Sequence, residues 1–144
     1  MRVVLDTDVV VAALRSPLGA SAEQIRLARL GRLRLAASVS LFIEYESVCT
    51  RQPHLDAAGL ASDDVAMFLD ALATLVEPVP IHFLWRPQLH DPADELVLEA
   101  AVNAGADALL SFNLRHFKRG AERFDLRLSQ PGPFLHDFLR GTRR

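Results

Sequence analysis

The sequence predicts an α/β fold in which helices cover both faces of a mainly parallel β-sheet. The main observation is that short β-rich segments alternate with amphipathic helical segments along the whole chain. In addition, 50% of the 144 residues are hydrophobic, which allows one buried core, whereas the length is too small for two comfortable domains. Because the chain has no internal repeat and no linker, we expect one domain over residues 1–144.

Each of the five predicted strands is a short apolar run. The first run ends at Asp6, close to the N-terminus, and the third is placed after Pro78 although Pro80 lies within it. The predicted strands are residues 2–6, 33–37, 79–83, 108–112 and 126–128.

The helices are predicted from apolar spacing and from residues that are typical of helix ends. Ser21 and Gln24 match a capping box at the start of a helix that Gly31 ends, and Ser40 is placed to cap the next one. Gly105 is typical of a residue that closes a helix. The predicted helices are residues 9–14, 21–30, 40–48, 63–76, 94–104 and a last one after Pro133, with loops at residues 53–62 and 84–92.

The composition excludes several classes of protein. No apolar run approaches the roughly 18 residues that span a bilayer, and Asp6 and Asp8 interrupt the segment that a signal peptide would need. Cys49 is the single cysteine, so a disulfide framework is excluded and this residue is expected in the core. We therefore expect a cytoplasmic protein that does not associate with membranes.

Charge is distributed unevenly along the chain. Residues 1–112 contain 8 Lys and Arg against 15 Asp and Glu, whereas residues 113–144 contain 8 against 3. An acidic body can hold cations and a basic end can attract a polyanion, although such asymmetry is also common on surfaces without a ligand.

Polar residues follow two of the predicted strands at their carboxyl ends. Asp6 ends the first strand, and Asn113 follows the fourth, two residues after Ser111. Binding sites in parallel sheets form beyond these strand ends. Each residue also has a structural interpretation: Asp6 or, better placed, Asp8 would cap a helix, and Asn113 would begin a loop.

Two further acids are predicted on helices that follow strands. Asp94 lies at the start of an apolar stripe, where the helix dipole favours a negative charge, although Asp91 and Glu95 compete for that place. Glu44 and Glu46 both flank apolar residues of the third helix, and spacing alone does not separate them.

These oxygen-bearing side chains together predict a site for a hard divalent cation. Several carboxylates that lie close together repel one another and need a counter-charge. Because no cluster of His and Cys accompanies them, Mg²⁺ or Mn²⁺ is the expected ion. Such an ion can activate a water molecule and offset the charge of a phosphodiester.

Three segments of the chain resemble the PIN-domain nucleases, in particular the VapC-like toxin components of bacterial toxin–antitoxin pairs. They are "VVLDTDVVVAAL", "LFIEYESV" and "DPADELVLEAAVNAGADALLSFNLRHF", and the resemblance continues to the tail "PGPFLHDFL". The resemblance implies a three-layer α/β/α fold and metal-dependent cleavage of single-stranded RNA. It also implies a cognate antitoxin protein as a partner, and a homodimer is compatible with it.

Carried over position by position, the resemblance implies which residues form the site. The first three acids of the family fall on Asp6, Glu44 and Asp94, so that Glu44 is selected over Glu46. Asp8 stands where the family usually has a small polar residue, and it is expected to assist.

The fourth acid of the family falls on Asn113, with Ser111 at a neighbouring hydroxyl position. An amide oxygen can bind a cation or orient a water molecule, but it carries no charge. We therefore expect Asp6, Asp94 and Asn113 to bind the metal, with a lower affinity than four acids would have.

Basic side chains follow Asn113 directly. Arg115, Lys118 and Arg119 are expected to hold the RNA backbone, because affinity for nucleic acids is largely electrostatic. His116 is interpreted either as a phosphate contact or, more simply, as an ordinary surface residue. Tyr45 and Trp85 are too few to form a base-stacking platform by themselves.

Two other functions stay open at this point. Without a fourth acid, the domain could bind RNA or a protein partner and cleave nothing. The "DTD" segment also matches the D-x-D motif of haloacid-dehalogenase-type phosphatases. Those enzymes need a lysine and a late acidic pair as well, but Lys118 is the single lysine and no acidic pair follows the fourth strand.

Overall fold

The computed structural model describes residues 1–83 and 88–142. Its centre is a five-stranded parallel sheet with the order β3-β2-β1-β4-β5. The strands β1 to β5 are Arg2–Leu5, Arg34–Ala37, Val76–Pro78, Ala108–Leu110 and Arg127–Ser129. The α/β architecture with a parallel sheet is therefore as predicted.

Eight helices flank the sheet in the described part of the chain. The helices α1 to α8 are Thr7–Arg15, Ala20–Arg29, Val39–Cys49, Gln52–Ala58, Ser62–Leu75, Pro92–Ala104, Leu114–Arg123 and Pro131–Thr142. Helix α6 packs against β1, β2 and β4, whereas α2 packs against α1, α8 and β2. The helices form the two outer layers of an α/β/α sandwich. Within residues 1–83 and 88–142, no helix combines the length and the apolar character that a membrane span needs.

The central strands form the middle of the hydrophobic core. Val3, Val4 and Leu109 have no exposed surface, as is typical of a parallel sheet that is covered on both faces. Cys49 is buried in the same core, which confirms its predicted place. Burial raises the pKa of its thiol to about 11, so this cysteine is not set up to react.

Two predicted elements are wrong. The third strand lies at residues 76–78 rather than 79–83, directly after α5, and Val76 pairs with Leu35 of β2. Pro78 is tolerated because β3 is an edge strand, where a missing N–H breaks no ladder. The predicted loop at residues 53–62 contains α4, with Pro53 in its first turn, where a helix needs no internal N–H donor.

The predicted capping box of α2 is also wrong. Gly19 precedes this helix and no side chain caps it. Ser21 and Gln24 are instead buried, and the Gln24 side-chain amide donates a hydrogen bond to the Pro131 carbonyl at 3.1 Å. Gln24 therefore belongs to the contact between α2 and α8, and neither residue caps the helix.

The caps of α1 and α3 differ from the prediction by two residues each. Asp6, and not Asp8, is the cap of α1 and accepts a hydrogen bond from the Thr7 N–H at 2.7 Å. Ser38, and not Ser40, caps α3. In both cases the helix begins earlier than its apolar spacing indicates. Only one residue, the cap itself, separates the end of the strand from the start of the helix.

Helix α7 lies between residues 112 and 126, where no element is predicted. Its apolar positions have helical spacing, but they are few among many charged residues. Gly120 allows α7 to lie close to α6, since a Cβ atom there would be 2.6 Å from Leu98 Cδ2. Residues 84–87 lie outside the described residues. They include Trp85 and the first part of the predicted loop at residues 84–92.

Candidate active site

The candidate site lies at the carboxyl ends of β1 and β4, which are neighbours in the sheet. From β1 the chain continues to β2 on one side, and from β4 it continues to β5 on the other, so a crevice opens between the two strands. A cavity of about 650 Å³, which we call the acidic cavity, occupies this crevice. Its lining includes Asp6, Asp8, Glu44, Asp94, Asn113 and His116.

Asp6 is held at the bottom of the crevice by hydrogen bonds to both of its oxygen atoms. Only 6% of the residue is exposed. Oδ1 accepts from the Thr7 N–H at 2.7 Å, and Oδ2 accepts from the Ser111 hydroxyl at 2.6 Å. Burial raises the pKa of Asp6, and these hydrogen bonds offset only part of that effect. A charged Asp6 therefore calls for a nearby cation.

Asp8 connects the start of α1 to the end of β4. Its Oδ2 accepts hydrogen bonds from the Phe112 N–H at 3.0 Å and from the Asn113 side-chain amide at 3.1 Å. Its Oδ1 is buried and has no hydrogen-bond partner. Burial, and next the charge of Asp6, raise the pKa of Asp8 to about 7. Asp8 is thus more than a surface acid, because its buried Oδ1 receives no hydrogen bond from a donor group and its side chain interacts with that of Asp6.

Asp94 reaches the same cavity from the first turn of α6, and only 14% of its side chain is exposed. Its Oδ2 lies 3.3 Å from Nδ1 of His116. Burial, and then the charges of Asp6 and Asp91, raise the pKa of Asp94 to about 6. Three acids with raised pKa values therefore line one cavity, a pattern that is common at functional sites.

The acids that compete with Asp94 in the sequence have other contacts. Asp91 also lines the cavity, but it is the cap of α6, and its side chain accepts from the Ala93 N–H at 2.9 Å. Glu95 is buried, and its Oε1 accepts from the backbone N–H groups of Gln88 and Leu89 at 2.5 and 2.7 Å. Glu95 therefore holds the segment before α6 in place and does not line the acidic cavity.

The contact between α3 and β1 determines which of Glu44 and Glu46 faces the cavity. The buried Tyr45 hydroxyl donates to the Leu5 carbonyl at 2.5 Å, which fixes the rotation of α3. Glu44 then lines the cavity, whereas Glu46 is exposed and does not. Among the described residues, Glu44 has no hydrogen bond or ion pair, so its carboxylate is available to a ligand.

Two ionisable residues of the cavity lining are absent from the sequence prediction. Arg15 lies in the last turn of α1, seven residues after Asp8 and so on the same helix face. This spacing could have indicated it. His54 lies on α4, whose existence is not predicted, and its buried Nδ1 has no hydrogen-bond partner.

A second cavity of about 690 Å³ adjoins the first. The two cavities share Asp91, Asp94 and His116 in their linings. Arg115 and Arg119, one helical turn apart on α7, line the second cavity, whereas Lys118 lines neither. The predicted basic group is therefore divided between a pair beside the acids and one lysine elsewhere on the helix.

The donor set fits a hard divalent cation that keeps part of its water shell. Among residues 1–83 and 88–142, no three side chains of His, Cys, Asp or Glu lie close enough together to hold a metal ion by themselves. Mg²⁺ is usually bound by one or two carboxylates together with several water molecules. Asp8 Oδ1 is buried without a partner, and burial raises the pKa values of Asp8 and Asp94, so a bound cation would stabilise the charged form of these acids.

The comparison with protein-family models decides the family. A model described as "PIN domain" matches residues 2–115, which extend from β1 into α7. The chain belongs to the PIN-domain family. The matched part of this PIN domain contains every acidic residue of the cavity. No curated protein sequence matches it.

A solved structure confirms the fold of this PIN domain. It is a chain from the crystal structure of VapBC2 from Rickettsia felis, bound to a DNA fragment from their promoter. The TM-score is 0.62, and the match covers 90% of this chain and 98% of that chain. At 17% sequence identity, the similarity concerns the fold, which is the three-layer α/β/α sandwich that the resemblance implies.

Proposed function

We propose that this PIN domain is a divalent-metal-dependent endoribonuclease and the toxin of a toxin–antitoxin pair. The observation that carries the proposal is the acidic cavity, in which Asp6, Asp8 and Asp94 have raised pKa values and one Asp8 oxygen has no partner. Membership of the PIN family supports a nuclease and leaves the phosphatase interpretation of "DTD" without support.

The acids of the cavity would have two different roles, metal binding and the orientation of a water molecule. Asp6 and Asp94 would bind Mg²⁺ or Mn²⁺ together with the Asn113 amide oxygen, and the bound ion would offset phosphate charge and make a water molecule more acidic. Ser111 keeps Asp6 in position through its hydrogen bond. The free carboxylate of Glu44 would accept a hydrogen bond from the attacking water and orient it.

Arginines that line the two adjoining cavities would hold the RNA strand. Arg15 lines the first cavity, and Arg115 and Arg119 line the second. Guanidinium groups bind phosphate oxygens in a bidentate manner. A single strand would therefore cross the acidic cavity with its flanking phosphates on these arginines.

Removal of the arginine pair tests this RNA path. We expect R115A/R119A to weaken the binding of a single-stranded RNA and to reduce the slope of log K against log salt by about 1.4, since each single-strand phosphate contact contributes about 0.7. The measurement is fluorescence anisotropy at several KCl concentrations. K118A is the matched control, because Lys118 lies on the same helix but lines neither cavity. An equal loss in K118A would contradict the path.

The variant N113D tests the place of Asn113 in the metal site. We expect it to bind Mg²⁺ about tenfold more tightly, because a full negative charge replaces an amide near the ion. The variant also loses the amide donor to Asp8, so its metal-free form should be less stable. Isothermal titration calorimetry measures the affinity, and an equal or weaker affinity would count against this placement.

Two experiments test the proposed function itself. Purified protein should produce new ends in single-stranded RNA with Mg²⁺ or Mn²⁺ and none with EDTA. Induced expression should arrest growth, and a small protein encoded beside this chain should restore it. The shared fold with a chain of VapBC2 supports the toxin–antitoxin part of the proposal. A homodimer and a cytoplasmic location stay predictions for this chain.

A second candidate function is RNA or partner binding without cleavage. The observation that favours it is Asn113, a neutral amide where the family resemblance implies an acid. Under this alternative, the protein with Mn²⁺ would bind a structured RNA and produce no new ends. The cleavage assay therefore separates the two functions directly.

A further inference from the structure

Phe112 is an exposed aromatic residue at the edge of the acidic cavity. It follows the buried strand β4 and the buried Ser111, yet 45% of Phe112 is exposed. It lines the same cavity as Asp6 and Asp94. Single exposed apolar residues are ordinary on protein surfaces, so the position of this one, and not its exposure alone, needs an explanation.

The backbone of Phe112 is held by the side chains that build the site. Its N–H donates to Asp8 Oδ2 at 3.0 Å, and the following N–H, that of Asn113, donates to Ser111 Oγ at 2.9 Å. Ser111 donates in turn to Asp6. The ring is thus attached to a fixed point beside the carboxylates.

Other aromatic residues do not offer a ring at this place. Tyr45 is 2% exposed, and its hydroxyl is bonded to the Leu5 carbonyl, so it is part of the core. Phe83 is 59% exposed but is absent from the linings of both cavities. Among the described residues that line the acidic cavity, Phe112 is the one with a phenyl ring.

We propose that Phe112 stacks on an RNA base next to the cleaved phosphodiester and thereby makes the site depend on an unpaired base. This inference rests on the proposed function, since it takes RNA as the ligand. Stacking on an aromatic ring tolerates any sequence, because every base has a π-face. A base within a duplex is stacked on its neighbours, so the ring selects single-stranded RNA.

The charge around the ring favours RNA over an apolar protein segment. Arg115 and Arg119 line the adjoining cavity, and Arg15 lines the acidic cavity itself. A polyanion with flat bases matches both the cations and the ring. An apolar side chain of an antitoxin would contact the ring but would leave the arginines without a partner of opposite charge.

The test compares Phe112 variants on intact RNA and on RNA with one abasic nucleotide beside the mapped cleavage position. On intact RNA, F112A should lower kcat/KM by roughly 5- to 100-fold, whereas F112Y should stay within about threefold of the wild type. On abasic RNA, F112A and the wild type should cleave alike. F83A, which removes an exposed ring outside both cavities, should change neither rate.

Several results would overturn the inference. They are an equal loss for F112A on intact and abasic RNA, no loss on either, or a wild-type rate for F112L, which keeps the apolar volume without the ring. If F112A cleaves normally but the antitoxin no longer restores growth, the ring binds the protein partner instead.

A binding measurement separates this inference from the proposed function. With Ca²⁺ in place of Mg²⁺, an RNA that carries 2-aminopurine should lose fluorescence on binding to the wild type and keep it on binding to F112A. Binding without quenching by the wild type overturns the role of Phe112 alone. No RNA binding by the wild type overturns the proposed function and this inference with it.

Discussion

Replacement of Asp6 or Asp94 by Asn should reduce RNA cleavage by roughly 100- to 1,000-fold, the range found when one electrostatic stabiliser of a transition state is removed. Asn keeps the size of the side chain and one acceptor oxygen, but it removes the charge that attracts the cation. In D6N, the amide oxygen can still accept one of the two hydrogen bonds that Asp6 accepts from Thr7 and Ser111. Single-turnover cleavage of a labelled single-stranded RNA in Mg²⁺ measures the loss.

The folded state of these variants is expected to survive. Because burial raises the pKa values of Asp6 and Asp94, the neutral Asn variants should be at least as stable as the metal-free wild type at pH 8. E46Q is a suitable charge control, since Glu46 is exposed outside the cavity. If D6N and D94N fold normally and cleave at the wild-type rate, Asp6 and Asp94 do not bind a metal ion that cleavage needs.

The metal-free protein should lose stability as the pH rises from 5 to 8. An acid whose pKa is raised in the folded state holds its proton more tightly there than in the unfolded chain. Asp8 has a pKa of about 7 and Asp94 one of about 6, against the usual 3.8. Between these values the folded state binds more protons, so the free energy of unfolding falls as the pH increases. Thermal unfolding in EDTA at several pH values measures this slope.

Between pH 5 and 8, the contribution of these acids to the free energy of unfolding can be measured apart from that of the surface ion pairs. Arg26 and Arg34 lower the pKa values of Glu23 and Glu77 from the usual 4.5. The stabilisation from those pairs is lost only when the pH falls below that value, and its sign is opposite. Added Mg²⁺ should restore stability more strongly at pH 8 than at pH 5, because it binds the charged carboxylates.

The variant D8N identifies the main source of the slope. We expect it to flatten the pH dependence and to stabilise the metal-free protein at pH 8 by on the order of 2 kcal/mol, about half of the full linkage value because water screens a partly exposed carboxyl. D70N removes an exposed charge on α5 and should leave the slope unchanged. A wild-type slope in D8N would show that Asp8 is not under electrostatic strain in the folded protein.

The fold class could be predicted because its signals are local. A parallel sheet covered on both faces needs short, mostly apolar strands, and these runs are visible in the chain at β1, β2 and β4. The third strand could not be placed, since Val76 and the residues after it extend directly from a helix and pair only at the edge of the sheet. Helix α7 was also missed, because its apolar face contains few residues and depends on Gly120 against Leu98.

The sequence by itself determined the α/β class, the strand ends that carry Asp6 and Asn113, and the place of Asp94 at a helix start. These features follow from residue spacing within one element. Tertiary structure alone decided that the ring of Phe112 lines the acidic cavity and that Arg119, and not Lys118, lines the adjoining one. It also placed Glu44, and not Glu46, at the acidic cavity, a choice that residue spacing left open and only the family resemblance made. The physical reason is that the rotation and approach of each helix are set by contacts with distant residues, such as the bond from Tyr45 to Leu5, and no local pattern records them.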